Sequence, residues 1–222
     1  MKRQLVFCGG GGKYNYSLGV LATIQKHFDL SDIIISGTSS GCFPAFIASS
    51  NLNAYNAFER YNIPLLATIN KYTFGALGNW NKVVRENTNA YMPEKTFLNV
   101  SNKLYIQLTE FPNLKGSMIN TWKSNRELLD TLMASSFIPI FDTFKLYETY
   151  NGKKYIDGSI SNNNPIPFDN SPYFLIHSER WRKLPFSYFW CWGSTLHART
   201  LFEMGRLDAE KHIEELNEFF KK

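Results

Sequence analysis

Four consecutive glycines, at residues 9–12, constrain the fold of this chain more than any other feature of its sequence. They follow a short apolar run at residues 4–8 and precede a segment with helical spacing of apolar side chains at residues 16–28. Flexible linkers seldom lie between two apolar elements, whereas glycines allow a tight turn and close backbone approach. The sequence therefore predicts a strand, a glycine loop and a helix in this order.

A second unit with the same order follows directly. Residues 32–36 (DIIIS) predict a buried strand, and residues 37–41 (GTSSG) predict a tight turn. Residues 42–49 (CFPAFIAS) are apolar on nearly all sides, so they predict a buried helix, in which Pro44 is tolerated because it falls in the first turn. Two strand-turn-helix units in succession favour an α/β arrangement.

Strand-like and helical segments also alternate in the second half of the chain. Residues 124–135 predict a helix capped by Ser124, with Glu127 three positions on, and residues 200–220 predict a long amphipathic helix. The segments predicted as strands are residues 105–109, 117–121, 153–157, 173–177 and 186–192. This alternation predicts an α/β domain around a largely parallel sheet.

Length and composition predict one domain over residues 1–222, because 44% hydrophobic residues can bury one substantial core. Residues 51–102 are richer in Asn, Tyr and Lys, with helical spacing only at residues 55–61 and 97–104. We interpret this stretch as a variable helical and loop insert that covers the site.

The net charge of +5 is compatible with nucleic acid, an anionic membrane surface or simple solubility. Lys and Arg never run longer than a pair, so we expect no nucleic-acid partner. No apolar run approaches the roughly twenty residues of a membrane span, which leaves peripheral contact with lipid as the expectation.

The three cysteines, Cys8, Cys42 and Cys191, lie in apolar segments without paired ligand spacing. We expect buried free thiols, no metal site and no cofactor. The apolar stretch before the glycines is too short for a signal peptide, which predicts a cytoplasmic protein, with peripheral membrane contact as a further possibility.

The turn at residues 37–41 fits the pattern G-x-S-x-G, with Ser39 at its centre. Gly37 and Gly41 suit this turn because a nucleophilic serine there adopts a strained backbone and its neighbours pack closely. The following helix points its positive end toward a developing oxyanion. The turn predicts Ser39 as a nucleophile; the alternative is a Gly/Ser loop without chemistry.

The glycine loop does not fit the known phosphate-binding patterns. A Walker A loop requires glycine where this chain has Phe7 and serine or threonine where it has Tyr14, and the dinucleotide pattern also fails at Tyr14. Successive glycines instead expose several backbone N–H groups toward one point, as an oxyanion hole requires. A plain flexible connector is the alternative.

Asp157 ends the predicted strand at residues 153–157, and Gly158 after it allows another backbone to approach closely. The sequence NNNP at residues 162–165 then turns the chain. A carboxylate at a strand end is a common catalytic position in open α/β sheets, although an Asp-Gly pair is also an ordinary turn.

Together these segments resemble the patatin-like phospholipase family. That family has a glycine-rich oxyanion loop near its N-terminus, a G-x-S-x-G turn, and a D-G-[GA] segment followed by an Asn-Pro turn. This chain reads FCGGGGKY, GTSSG and DGSISNNNP at these places, and MASSFIPIF at residues 133–141 resembles the stretch ahead of the catalytic aspartate. The likeness covers residues 4–167.

The resemblance implies a three-layer α/β/α fold with a central, mostly parallel sheet, and a serine-aspartate dyad that acts without histidine. Ser39 matches the nucleophile and Asp157 the base, while Gly10, Gly11 and Gly12 match the oxyanion amides. The implied activity is that of a lipid acyl hydrolase, similar to phospholipase A or lysophospholipase, which cleaves a phospholipid or another acyl lipid through an acyl-enzyme.

Gly9, Gly158 and Lys13, which stands at the basic position of the family, match positions that support the motifs. Two residues depart from the family pattern. Tyr14 stands where a glycine is usual, so the exit of the loop is expected to be narrower, and Ser159 replaces the small last residue of D-G-[GA]. Neither departure removes a reacting group.

Other functions stay open at this point. A serine-acid-histidine triad would use His177 or His197, both of which follow Asp157 in the chain. A non-catalytic lipid-binding module on the same fold is a second alternative.

The aromatic residues of the predicted insert are candidates for contact with a lipid interface. Tyr72, Phe74 and Trp80 look exposed, and Lys71 and Lys82 flank them.

Overall fold

A computed structural model describes residues 2–72, 74–75, 77–141, 145–191 and 193–221. Its centre is a seven-stranded sheet with the strand order β5-β6-β3-β2-β1-β7, in which β4 also pairs with β3. The strands are β1 (Gln4–Phe7), β2 (Ile34–Thr38), β3 (Leu104–Glu110), β4 (Gly116–Ile119), β5 (Glu148–Tyr150), β6 (Lys153–Ile156) and β7 (Tyr173–Ile176).

The four strands β7, β1, β2 and β3 run parallel, whereas β4 and β6 pair antiparallel with β3 and β5 pairs antiparallel with β6. Every residue of β1 and β2 is buried, so both faces of these two central strands are covered. Helices flank the sheet, and the predicted α/β fold with a mostly parallel central sheet is confirmed.

The helices are α1 (Tyr14–His27), α2 (Cys42–Ser49), α3 (Ala54–Ala57), α4 (Ile63–Ile69), α5 (Trp80–Tyr91), α6 (Thr96–Val100), α7 (Asn125–Ser135), α8 (Thr195–Lys211) and α9 (Ile213–Phe220). Helix α1 lies between β1 and β2, and five further helices separate β2 from β3. A π-helical turn, Phe58–Asn62, joins α3 to α4. The stretch predicted as an insert is therefore mainly helical, and its status as an insert in a single domain stays a prediction.

The segment at residues 186–192 is not the buried strand that its sequence predicts. Phe186–Trp190 is a short 3-10 helix without a buried residue, and Trp192 lies outside the described residues. A short apolar run has the same pattern in a strand and in a compact turn, so periodicity cannot separate the two. Here the run begins just after Pro185, and its backbone packs on the glycine loop instead of extending the sheet.

Helix boundaries also differ from the sequence prediction. The helix predicted at residues 97–104 ends at Val100, and β3 begins at Leu104. The helix predicted at residues 200–220 begins at Thr195, where the Ser194 side chain caps it. It breaks at His212, so α8 and α9 are separate helices. Strand β5 gave no recognisable signal because it has only three residues.

Helices α1 and α8 approach each other closely through two glycines. A Cβ on Gly19 would lie 2.0 Å from the carbonyl oxygen of Phe202, and a Cβ on Gly205 would lie 2.1 Å from that of Tyr16. Real side chains do not tolerate such distances, so only glycine permits this spacing of the two backbones. This contact fixes α8 against the helix that follows the glycine loop.

We expect Gly205→Ala to destabilise the protein. Forcing the helices apart costs about 3 kcal/mol by overpacking, which exceeds the roughly 1 kcal/mol that alanine gains over glycine in a helix. Urea unfolding should therefore give a free energy of unfolding lower by about 2 kcal/mol. Leu207→Ala, on the exposed face of the same helix, is the control and should change stability by less than about 0.5 kcal/mol. Equal stability of the two variants would contradict this packing.

Candidate active site

Ser39 lies where β2 ends and a 3-10 turn, Ser39–Gly41, leads into α2. Its φ is +51°, a left-handed conformation that costs free energy in a residue other than glycine. The Ser39 N–H donates to Ser135 Oγ at 3.0 Å, and that hydroxyl donates to the carbonyl oxygen of Gln107 at 2.8 Å. Residues from α7 and β3 thus hold the strained serine in position.

The glycines on either side of Ser39 are required by close packing. A Cβ on Gly37 would lie 2.7 Å from the Gly41 carbonyl oxygen, and one on Gly41 would lie 2.4 Å from that of Cys8. The turn is therefore pressed against the end of β1. This is the packing that the G-x-S-x-G pattern predicts.

Asp157 follows β6, and its carboxylate accepts a hydrogen bond from Ser39 Oγ at 2.6 Å. Strand β6 runs antiparallel to β3, and its last residue pairs with Thr109. Asp157 comes next in the chain and therefore lies near the end of β2, which pairs with the same part of β3. Gly158 permits this approach, because a Cβ there would lie 2.1 Å from the Gln107 carbonyl oxygen. The side chains of Ser39 and Asp157 are both buried.

The second carboxylate oxygen of Asp157 is held by Ser159. Its backbone N–H donates to Asp157 Oδ1 at 2.9 Å, and its hydroxyl donates to the same oxygen at 2.6 Å. Burial raises the pKa of Asp157 above its ordinary value, while the hydrogen bonds from Ser159 and Ser39 oppose that rise. Sequence reasoning noted Ser159 only as a departure from the family, although its position two residues after an aspartate is typical of such a bond.

The glycine loop lies against Ser39, since a Cβ on Gly9 would be 2.7 Å from the Ser39 Cβ. The Gly9 N–H donates to Asn163 Oδ1 at 2.8 Å, and the Gly10 N–H donates to Ser40 Oγ at 3.2 Å. Within the described residues, the amides of Gly11 and Gly12 have no acceptor.

Lys13 connects the glycine loop to the segment after β7. Its ammonium group is buried and donates to Glu179 Oε1 at 2.9 Å and to the Leu184 carbonyl oxygen at 3.3 Å. Lys13, at the predicted basic position, thus anchors the glycine loop through these two contacts.

Tyr14, which stands where the family usually has glycine, is buried beside the loop. Its hydroxyl donates to Asn62 Oδ1 in the π-helical turn, and Asn62 donates to Asn15 Oδ1 at 2.6 Å. Asn15 in turn donates to the Gly12 carbonyl oxygen at 3.0 Å. A hydrogen-bonded chain therefore joins the predicted insert to the glycine loop.

Tyr14 also lines a small cavity of about 40 Å³ between α1, α2, α4 and α5. Phe43, Tyr61, Trp80 and Tyr91 contribute to its walls. Trp80 is only 3% exposed, so its prediction as an interfacial aromatic is wrong. Phe74, in contrast, is exposed as predicted.

The two histidines considered for a triad lie elsewhere. His177 Nδ1 accepts a hydrogen bond from the Glu179 N–H at 3.2 Å, and His197 is exposed with its ring 5.5 Å from that of Tyr188. Neither imidazole is hydrogen-bonded to Ser39 or Asp157 within the described part of the chain.

Cys8 and Cys42 are buried free thiols, but Cys191 is half-buried, so the prediction for this third cysteine is wrong. Where the chain is described, no group of three or more His, Cys, Asp and Glu side chains is arranged to hold a metal ion. No helix in the same ranges has both the length and the apolar character to cross a membrane.

A strained serine after a parallel strand, hydrogen-bonded to a buried carboxylate, is typical of serine acyl hydrolases on α/β folds. The model of the patatin-like phospholipase family matches residues 5–168, and the chain belongs to this family. The resemblance noted in the sequence is thus confirmed.

The curated relatives are distant in sequence. Human patatin-like phospholipase domain-containing protein 4 is 26% identical over 73% of this chain and 66% of its own length. Mouse omega-hydroxyceramide transacylase is 26% identical over 74% of this chain and 28% of its own length. The mouse 1-acylglycerol-3-phosphate O-acyltransferase Pnpla3 is 30% identical over 40% of this chain and 21% of its own length. The chain thus spans two thirds or less of these relatives.

Among solved structures, VipD from Legionella pneumophila is similar with a TM-score of 0.52 and 12% sequence identity. The match covers 78% of this chain and 49% of VipD. At this identity the likeness concerns the fold alone.

We expect Ser159→Ala to raise the pKa of Asp157. The Ser159 hydroxyl donates to the ionised carboxylate and stabilises it, so losing this hydrogen bond favours the protonated form. An NMR titration of the Asp157 carboxyl carbon should show its midpoint at higher pH, so the ionised form is lost earlier as the pH falls. Ser161→Ala is the control, since Ser161 bonds to Thr109 and not to the carboxylate. An unchanged midpoint in Ser159→Ala would exclude this role.

Proposed function

We propose that this chain is a lipid acyl hydrolase that cleaves a carboxylic ester of a phospholipid or another acyl lipid through an acyl-enzyme. Family membership supports the general class of lipid hydrolases and acyltransferases. The proposal of a serine-aspartate dyad rests on one hydrogen bond. Ser39 Oγ donates directly to Asp157 Oδ2 at 2.6 Å, with no histidine between them.

In the first half of the reaction, Asp157 Oδ2 takes the proton of Ser39 Oγ, and Oγ bonds to the ester carbonyl carbon. The resulting oxyanion is stabilised by backbone amides of the glycine loop and by the N-terminal end of α2. When the tetrahedral intermediate collapses, the bond to the alcohol breaks. The leaving alkoxide takes the proton from Asp157, and the acyl group stays on Ser39.

In the second half, water attacks the acyl carbonyl and Asp157 takes a proton from this water. Collapse releases the fatty acid and returns the proton to Ser39 Oγ. An ordinary aspartate is a weak base for an alcohol. Burial raises the pKa of Asp157 and so strengthens it as a base, but most of the rate must come from positioning and water exclusion.

Gly11 and Gly12 are the best candidates for the oxyanion amides. The sequence expectation also included Gly10, but its N–H donates to Ser40 Oγ. The amides of Gly11 and Gly12 lack an acceptor among the described residues and are therefore available to a substrate oxygen.

Acyl transfer is a second candidate activity, because two relatives are named as a transacylase and an O-acyltransferase. The same acyl-enzyme would then react with an alcohol instead of water. Product analysis with an added lipid alcohol separates the two activities, since hydrolysis yields free fatty acid and transfer yields a new ester.

We expect Ser39→Ala to lower kcat by about four or more orders of magnitude while the fold is retained. Asp157→Asn should also abolish turnover, because an amide cannot accept the serine proton. Initial rates on a dispersed lipid and circular dichroism of each variant provide the measurement. A folded Ser39→Ala protein with undiminished activity would contradict the proposed nucleophile.

His177→Gln and His197→Gln are the matched controls for the dyad. Each should retain activity within about tenfold of the unsubstituted protein. Loss of turnover in a folded histidine variant, beside an active Asp157→Asn protein, would point to the triad instead. A protein that binds lipid but lacks turnover in every assay would point to a binding module.

We expect catalysis to proceed without a metal ion, since the proposed steps use only Ser39, Asp157 and backbone amides. Initial rates should be unchanged after treatment with a calcium chelator. Activity that disappears with the chelator and returns on addition of calcium would contradict the dyad mechanism.

A further inference from the structure

Exposed apolar side chains lie on three segments that adjoin one another, and the third of these segments packs on the glycine loop. The Gly78 N–H donates to the Phe141 carbonyl oxygen at 2.7 Å, which joins the first segment to the second. The rings of Phe141 and Trp190 lie 6.5 Å apart, which joins the second to the third. We call this surface the apolar rim, and its exposed members are Phe74, Leu77, Ile140, Phe186 and Trp190.

The side chains of the rim are largely exposed. Phe74 is 76% exposed, Phe186 is 71% exposed, and Ile140 and Trp190 are more than half exposed. Isolated exposed apolar residues are common on protein surfaces, but a cluster of large ones marks an interaction surface.

The rim borders the proposed oxyanion site. A Cβ on Gly11 would lie 2.7 Å from the Phe189 carbonyl oxygen, and one on Gly12 would lie 2.6 Å from that of Tyr188. The short helix Phe186–Trp190 therefore lies directly on the glycine loop. A partner bound to the rim would be held next to the entrance of the site.

Positive charge flanks the rim. Lys71 precedes the first segment and Lys183 precedes the third. Lys145 lies beside the second segment, where its carbonyl oxygen accepts a hydrogen bond from the Ile140 N–H. All three lysines are exposed, and none has a carboxylate within ion-pair distance in the described ranges. Aromatic side chains beside exposed lysines suit a boundary between anionic head groups and acyl chains.

We propose that the apolar rim inserts into an anionic lipid surface and presents its ester bonds to the glycine loop and Ser39. The proposal rests on the proposed lipid substrate and names the surface that contacts it. A second copy of the chain fits less well, because a symmetric contact through this face would bring the lysines of both copies together.

The test measures cosedimentation with vesicles of phosphatidylcholine alone or mixed with phosphatidylserine. All binding variants also carry Ser39→Ala, so binding is read without turnover. The double substitution Phe74→Ser and Phe186→Ser should lower binding to mixed vesicles at least about tenfold, because two inserted rings are lost. The control, Leu98→Ser with Leu207→Ser, removes two apolar side chains that are 60% and 65% exposed on α6 and α8, and it should bind normally.

A second arm tests the charges. Lys71→Gln and Lys183→Gln should each weaken binding to mixed vesicles by about fivefold and leave the weaker binding to phosphatidylcholine unchanged. In the active protein, the rim substitutions should slow hydrolysis of vesicle lipid and leave hydrolysis of a soluble short-chain ester unchanged.

The proposal is overturned if the Ser39→Ala protein with an intact rim binds neither vesicle, or if the rim and control variants bind equally well. Sedimentation velocity provides a further outcome, since a dimer that the rim substitutions abolish would assign this face to a second copy. Failure of the proposed function would look different, because the protein would then bind vesicles through the rim but hydrolyse neither vesicle lipid nor the soluble ester.

Discussion

The strained backbone of Ser39 is the constraint on which the site depends. A positive φ in a serine is unfavourable, and it persists here because Ser135 on α7 accepts the Ser39 N–H and is itself bonded to β3. In this conformation Ser39 Oγ donates a hydrogen bond to Asp157. The position of the Ser39 hydroxyl group therefore depends on the central strands, on α7 and on the close packing of Gly37 and Gly41.

The carboxylate reaches that hydroxyl by a less obvious route. Asp157 comes from an antiparallel strand at the other side of β3, and it meets Ser39 because Gly158 lets two backbones nearly touch. Ser159 then fixes the remaining carboxylate oxygen. A buried acid with both oxygens hydrogen-bonded has one orientation, which is what a dyad without histidine requires if positioning supplies most of the rate.

Local patterns in the sequence predicted much of this arrangement. The glycine loop and the G-x-S-x-G turn depend on neighbouring residues, so they indicated the parallel core and Ser39 directly. Features that depend on long-range contacts were harder to predict. The Gly10 N–H donates a hydrogen bond to Ser40 Oγ. An apolar run that was predicted as a strand is the short 3-10 helix Phe186–Trp190, which packs on the glycine loop. Such outcomes depend on tertiary contacts that alternation of apolar residues does not encode.

The acyl-enzyme is the species that distinguishes nucleophilic catalysis from every alternative. Mass spectrometry of protein quenched in acid during turnover of a slowly hydrolysed ester would locate it. We expect the mass of one acyl group on the peptide that contains Ser39, and its loss when the substrate is exhausted. Turnover with no acylated peptide, or with the acyl group on another residue, would contradict the mechanism.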